Sequence, residues 1–287
     1  MQKVTHSEYI AQKKPLAKQL LAKLNEKYQY ASVLITDNYE KGYRASRSGV
    51  AISATNAFGG KGMIVKVYDG KGYAEYSTNE ITAENLPEIE REIEQQLMNP
   101  ANFIPEGTEE AEYKCISDEP CTLCEATDYE IHPREVGDEK LIETVTALRE
   151  KAVKADERIL DAITGFNYQE YHKLFLSANR ELEQSVLYST GIMALVTAKG
   201  EEIKQSFRGF SNLGGAELLD KMESAIPQCV KTVTDLLNAE PMEPGTYECI
   251  CTPEVTGMIV HEAFGHGVEM DMFVKDRALA QSYIGKQ

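Results

Sequence analysis

The sequence predicts an α+β protein in which amphipathic helices flank antiparallel strands. Three observations predict it. Several segments repeat apolar residues three and four apart, the spacing of one helix face. Between them run stretches that alternate apolar and polar residues, as strands with one wetted face do. The turn Asp69-Gly70-Lys71-Gly72 joins two such stretches with strong hairpin chemistry.

Taken in order, residues 7–27 read as a helix, with Leu16, Leu20, Leu21 and Leu24 on one side and lysines opposite. Strands are expected at Ala31–Asp37, Tyr43–Ala54, Met63–Tyr68 and, after the hairpin turn, Tyr73–Ser77. A second helix opens around Thr82–Leu86, continues through Ile89, Ile93 and Leu97, and ends before Pro100. Residues 99–137 are acidic and proline-rich and read as a long surface excursion. Its Cys115, Cys121 and Cys124 read as plain reduced thiols. A small structural zinc site including His132 is the alternative, since Cys-x-x-Cys is half of such a site.

A helix over Leu141–Ile159 follows, then four strand-like stretches at Ile159–Asn167, Tyr171–Asn179, Ser185–Lys199 and Glu202–Gly209. Ala216–Leu237 reads as one more helix, kinked at Pro227. The segment 238–245 (Asn-Ala-Glu-Pro-Met-Glu-Pro-Gly) is the natural linker. The expected organisation is therefore an N-terminal α+β domain over 1–237 and a second element over 246–287. That element begins with a strand at Tyr247–Cys251. A helix start follows at Thr252-Pro253-Glu254, with Thr as N-cap, Pro at the first helical position and an acid in the first turn.

Composition narrows the function classes. The chain carries a net charge of −16, the wrong sign for nucleic-acid phosphates or an anionic membrane. There is no secretory signal pattern and no apolar run of bilayer-spanning length. Six dispersed cysteines suit a reducing compartment, so a cytoplasmic protein is expected. The glycine clusters Phe58–Gly62 and Leu213–Gly215 lack the spacing of a phosphate loop and read as turns. His6, His132 and His172 read as surface or structural residues rather than ligands.

The chemistry concentrates near the end of the sequence, in His261-Glu262-Ala263-Phe264-Gly265-His266-Gly267-Val268-Glu269. Imidazole nitrogens are good Zn²⁺ ligands, and a carboxylate beside a metal site can take a proton from water. The combination points to metal-assisted hydrolysis, with a peptide bond as the expected target. The usual His-Glu-x-x-His pattern places its histidines four apart, whereas these are five apart. On a regular helix such a pair diverges by roughly 140°. A π-type turn would restore one side, and Gly265 and Gly267 ease the backbone out of regular geometry. A distorted or ending helix is expected there. Cys249 or Cys251 as a further ligand is awkward, because about ten residues of helix span roughly 15 Å.

The run His261-Glu262-Ala263-Phe264-Gly265-His266-Gly267-Val268-Glu269-Met270-Asp271 resembles the signature of the TldD/PmbA family of zinc metallopeptidases, in its TldD-like branch. Gly62–Thr78 resembles the family's N-terminal strand–turn–strand, and Pro244-Gly245-Thr246-Tyr247 its lead-in to the metal helix. Val268 and Met270 stand where the family often has Leu and Gly. The resemblance implies that His261 and His266 are zinc ligands and that Glu262 is the general base and proton shuttle. It implies short or unfolded peptides as substrates, and a homodimer or a heterodimer with a related subunit. In the family the third ligand is a cysteine far downstream, in a β-rich C-terminal domain, and none of the six cysteines here maps onto it. The chain is thus expected to hold the family's N-terminal portion and only the start of that β-rich domain, and to be inactive alone. A non-catalytic assembly subunit is the alternative.

Overall fold

The computed structural model describes residues 1–98, 115–274 and 277–286, leaving aside the side chains of 55–59 and 274. The chain divides into two compact units, Met1–Ala239 and Glu240–Gln287. In order, the first unit contains β1 (Gln2–Lys3), α1 (Glu8–Lys27), β2 (Tyr30–Ser46), β3 (Gly49–Tyr68), β4 (Tyr73–Thr78), α2 (Leu86–Met98), β5 (Cys121–Ala126) and β6 (Asp128–Tyr129). It continues with α3 (Pro133–Val136), α4 (Asp138–Lys154), β7 (Ile159–Ser177), β8 (Arg180–Lys199), β9 (Glu202–Leu213), α5 (Leu218–Ser224) and α6 (Ile226–Asp235). The fold is α+β, as the residue patterns predict.

The frame is a seven-stranded sheet in the order β4-β3-β2-β7-β8, with β5 and β9 both alongside β8. All pairings are antiparallel except β5 with β8. Its strands are longer than the sequence suggests. Ile159–Asn167 and Tyr171–Asn179 are one strand, β7, because nothing at Tyr168-Gln169-Glu170 provides a turn and the ladder to β2 runs through it unbroken. Conversely, Tyr43–Ala54 is not one strand. It contains the reversal between β2 and β3, where Gly49 takes a φ of 124° that favours glycine.

The surface excursion also needs correction. Residues 99–114 lie outside the described residues. Cys121–Ala126 is ordinary strand, paired in parallel with Arg180–Ser185. Cys121 and Cys124 are three apart on a strand and so point to opposite faces. Among the described residues, Cys115, Cys121, Cys124 and His132 do not form a metal-sized group.

Helix α1 begins where Ser7 accepts from the Ile10 N–H and donates to Asp37, so one hydroxyl caps the helix and ties it to β2. The helix continues through Pro15, which is exposed, so the carbonyl its missing N–H leaves free can meet water. At the other end of the unit, Pro227 does more than kink its helix. The helix ends at Ser224 and restarts at Ile226 with Pro227 in the first turn, where a missing N–H costs nothing.

All these helices serve one face of the sheet. On β2, alternate residues Ala31, Val33 and Ile35 pack with α1 and α2, while Tyr43 and Ala45 join the cluster built by α4, α5 and α6. Thr164 locks α4 down by donating to the Val145 carbonyl at 2.6 Å, and Arg149 reaches Asp161 and the Ala162 carbonyl. Between the two apolar clusters the same face turns polar. Lys61, Asp37, His172 and Ser185 lie in one row across β3, β2, β7 and β8. The next row holds Tyr39 and Glu170.

The second unit holds α7 (Pro253–Val260), a π turn over His261–Gly265, a 3₁₀ turn over His266–Val268, α8 (Met270–Val274) and a 3₁₀ turn over Leu279–Tyr283. The strand expected at Tyr247–Cys251 is absent. A strand needs a neighbour for its ladder, and no strand occurs among the described residues of this unit. No helix among the described residues is long and apolar enough to cross a membrane.

Two outcomes test this packing. A Cβ on Gly215 would lie 2.0 Å from the Ile131 carbonyl oxygen, a backbone atom that cannot swing aside. Gly215→Ala is expected to cost about 1–3 kcal/mol in denaturant unfolding. Burial pushes the Glu170 carboxyl up, but His172, with Nε2 3.7 Å away, and the charges of Arg134 and His132 outweigh it and hold the group below the usual glutamate range. A folded pKa below the unfolded one stabilises the protein above the unfolded value, and that stability is lost as pH falls through the folded one. Glu170→Gln is therefore expected to lose less stability than the parent between about pH 5 and pH 3, followed by thermal melting.

Candidate metal centre

Sequence-local rules build this site. Thr252 has extended dihedrals and Pro253 opens α7, although the Thr252 hydroxyl makes no capping hydrogen bond. The His261 N–H still donates to helical carbonyls, those of Gly257 and Met258. Then the register widens. The His266 N–H donates to the His261 carbonyl, an i→i+5 bond, and Gly265 and Gly267 flank that residue. The geometric consequence is decisive. A pair that would diverge on a regular helix is brought ring to ring, with centroids 4.5 Å apart and planes at 76°.

Glu262 sits between them. Its oxygens lie 4.0 Å from His261 Nε2 and 3.9 Å from His266 Nε2. One donor atom from each of His261, Glu262 and His266 falls within 4.8 Å of the others, and these three are the metal-sized group among the described residues. All three are exposed. Ligand nitrogens about 2 Å from a tetrahedral zinc lie roughly 3.3 Å apart, a separation of the same order as the spacing within this group.

One residue of the site has no role in the sequence reading. Glu269 Oε1 meets His266 Nδ1 at 3.0 Å. A carboxylate on Nδ1 holds the proton there and leaves the Nε2 lone pair for a metal, the usual arrangement behind a ligating histidine. Its signal was present as an acid three residues after His266, one turn on. Cys249 and Cys251 are exposed and belong to no metal-sized group among the described residues.

Comparison with known proteins bears on the fold. No protein-family model matches the chain. A metalloprotease of Archaeoglobus fulgidus is 32% identical over 95 residues, 33% of this chain and 22% of that protein. A metalloprotease of Methanocaldococcus jannaschii is 19% identical over 270 residues, 93% of this chain and 57% of that protein. Among solved structures, TldE from Thermococcus kodakarensis superposes with a TM-score of 0.55 at 14% identity, covering 76% of this chain and 47% of TldE. A candidate modulator of DNA gyrase from Bacteroides thetaiotaomicron gives a TM-score of 0.65 at 16% identity, covering 88% of this chain and 56% of that one. The fold is that of the TldD/PmbA proteins. The chain spans between about a fifth and just over half of the length of these relatives.

If Glu269 orients His266, Glu269→Ala weakens metal binding without removing a ligand. Zinc affinity measured by competition with a chromophoric chelator is expected to fall about 10–100-fold. An unchanged affinity would remove Glu269 from the site.

Proposed function

We propose that this chain carries the catalytic helix of a zinc-dependent peptidase of the TldD/PmbA type that hydrolyses short or unfolded peptides. The observation that carries the reading is the π turn. It converts a five-residue spacing, useless on a regular helix, into two facing imidazoles with a carboxylate between them. The metalloprotease names of the curated relatives support the same class.

In this reading His261 and His266 are two of the protein ligands, and their donor chemistry suits zinc. Bound zinc supplies Lewis acidity to the scissile carbonyl and to the attacking water. The protein's own part is proton handling. Glu262 takes a proton from the water through one carboxylate oxygen and returns it to the leaving amine nitrogen. Glu269 keeps the His266 proton on Nδ1, so the ring stays in the tautomer that presents Nε2 outward.

Catalytic zinc normally has three protein ligands, and in the family this chain resembles the third is a cysteine. We place partner binding in the proposal as well, as a homodimer or a pair with a related subunit. Met258, Ile259, Val260 and Phe264 are exposed on and beside the metal helix, and an apolar surface of that kind favours cover by further protein. The same surface supports the second reading, a non-catalytic assembly subunit.

Zinc content by elemental mass spectrometry, together with peptide hydrolysis by the assembled protein, separates these readings. Near-stoichiometric metal is expected in the parent and little in the His261→Ala/His266→Ala double variant. Glu262→Gln is expected to retain zinc while peptide hydrolysis drops by roughly 10²-fold or more. Turnover that survives Glu262→Gln would remove that residue as the base, and a zinc-loaded protein without peptidase activity in its physiological assembly would favour the second reading.

A further inference from the structure

The polar row in the middle of the sheet opens on a cavity of about 440 Å³, inside the first unit and built without any residue of the metal helix. Its volume falls within the roughly 300–1,000 Å³ of small-molecule sites. Its floor is Asp37, His172 and Glu170 on the sheet, and Tyr9, Lys61 and Arg134 stand in its walls.

These charges are a poor choice for structure alone. Apolar clusters lie on either side of them along the same face, and burying carboxylates between those clusters costs desolvation that matched ion pairs only partly return. Glu170 keeps 9% of its side-chain surface and Asp37 19%, whereas the side chains of Lys61 and Arg134 stay about half exposed. The pairs are also incomplete. Lys61 Nζ stops 3.6 Å from Asp37, beyond hydrogen-bond distance. Arg134 Nε approaches Glu170 Oε1 to 2.7 Å, yet off the N–H axis, so that oxygen has no aligned hydrogen bond. The Tyr9 hydroxyl at the wall is buried with no hydrogen-bond partner among the described residues.

We propose that this cavity is a binding site for a small zwitterion with free α-ammonium and carboxylate groups, namely an α-amino acid or a dipeptide. Two cations lie beside the carboxylates of Asp37 and Glu170, with Glu8 also lining the cavity, so a lone anion or a lone cation would satisfy one set of charges and meet the other as repulsion. A zwitterion meets both. Its carboxylate takes the exposed donors of Lys61 and Arg134, and its ammonium takes the oxygens of Asp37 and Glu170. His172 is held for this arrangement from behind, with Nδ1 2.9 Å from the Ser185 hydroxyl, which in turn meets His6 Nδ1 at 2.9 Å. The site goes beyond the proposed peptidase reading and does not depend on it.

The test is calorimetric titration of L-alanyl-L-alanine into the full chain carrying His261→Ala/His266→Ala, which removes the metal centre as a competing site. Saturable binding is expected, weakened about tenfold or more by N-acetylation or by C-terminal amidation of the dipeptide. Lys61→Gln and Asp37→Asn are each expected to weaken it by a similar factor. Unchanged melting temperatures show that the variants are folded, and Lys61→Gln, altering a half-exposed side chain, carries the test if Asp37→Asn does not fold. No binding at millimolar dipeptide, binding indifferent to either blocked end, binding matched by acetate alone, or binding retained in folded Lys61→Gln would each overturn the proposal. Loss of peptidase activity elsewhere in the chain leaves these readouts unchanged.

Discussion

The antiparallel ladder between β2 and β7 is the constraint on which the first unit depends. It runs from Ser32↔Ser177 to Ala45↔Thr164 without a register shift. Side chains alternate with a period of two, so a slip of one residue would turn every core group of the slipped strand outward. With the register held, Ala31, Val33, Ile35, Tyr43 and Ala45 face the helices together, as do Leu174, Leu176 and Phe166 across from them. The helices then have one apolar surface to cover, and they cover it from both ends.

The same register produces the polar centre. Asp37 opposes His172, and Tyr39 opposes Glu170, because they occupy helix-facing positions midway along the two strands. Neither strand carries an aliphatic residue there. The helix layer accordingly parts, with α1 tied down by Ser7 to Asp37 on one side and Asp138, at the start of α4, held by Lys41 and Tyr43 on the other. A cavity among charges is the outcome of keeping the ladder continuous while its pattern changes.

The second unit works by the opposite logic. Its site owes nothing to long-range pairing, since His261, Glu262, His266 and Glu269 all lie within nine residues. One widened turn of backbone aligns them. Glycine on both sides of His266 lowers the barrier to that widening, and the resulting i→i+5 bond fixes the facing rings. The exposure of the apolar side chains around it sets this unit apart from the first, where equivalent residues are buried.

How much was legible follows from the range of each interaction. The cap at Ser7, the hairpin turn at Asp69–Gly72, the apolar face of α1 and the distortion after His261 are all written within a few residues, and the sequence by itself determined them. The α+β class and the grouping of His261, Glu262 and His266 follow from such local signals. Strand lengths were not local. Residues 168–170 carry no turn chemistry, but only the neighbouring β2 shows that β7 runs through them, and only the β8 edge makes Cys121–Ala126 a strand. Tyr247–Cys251 has the alternation of a strand and lacks the neighbour that would make it one. The tertiary structure alone decided that Lys61, Asp37, His172 and Ser185, far apart in the chain, stand in one row, because a cross-strand row exists only once the register is set.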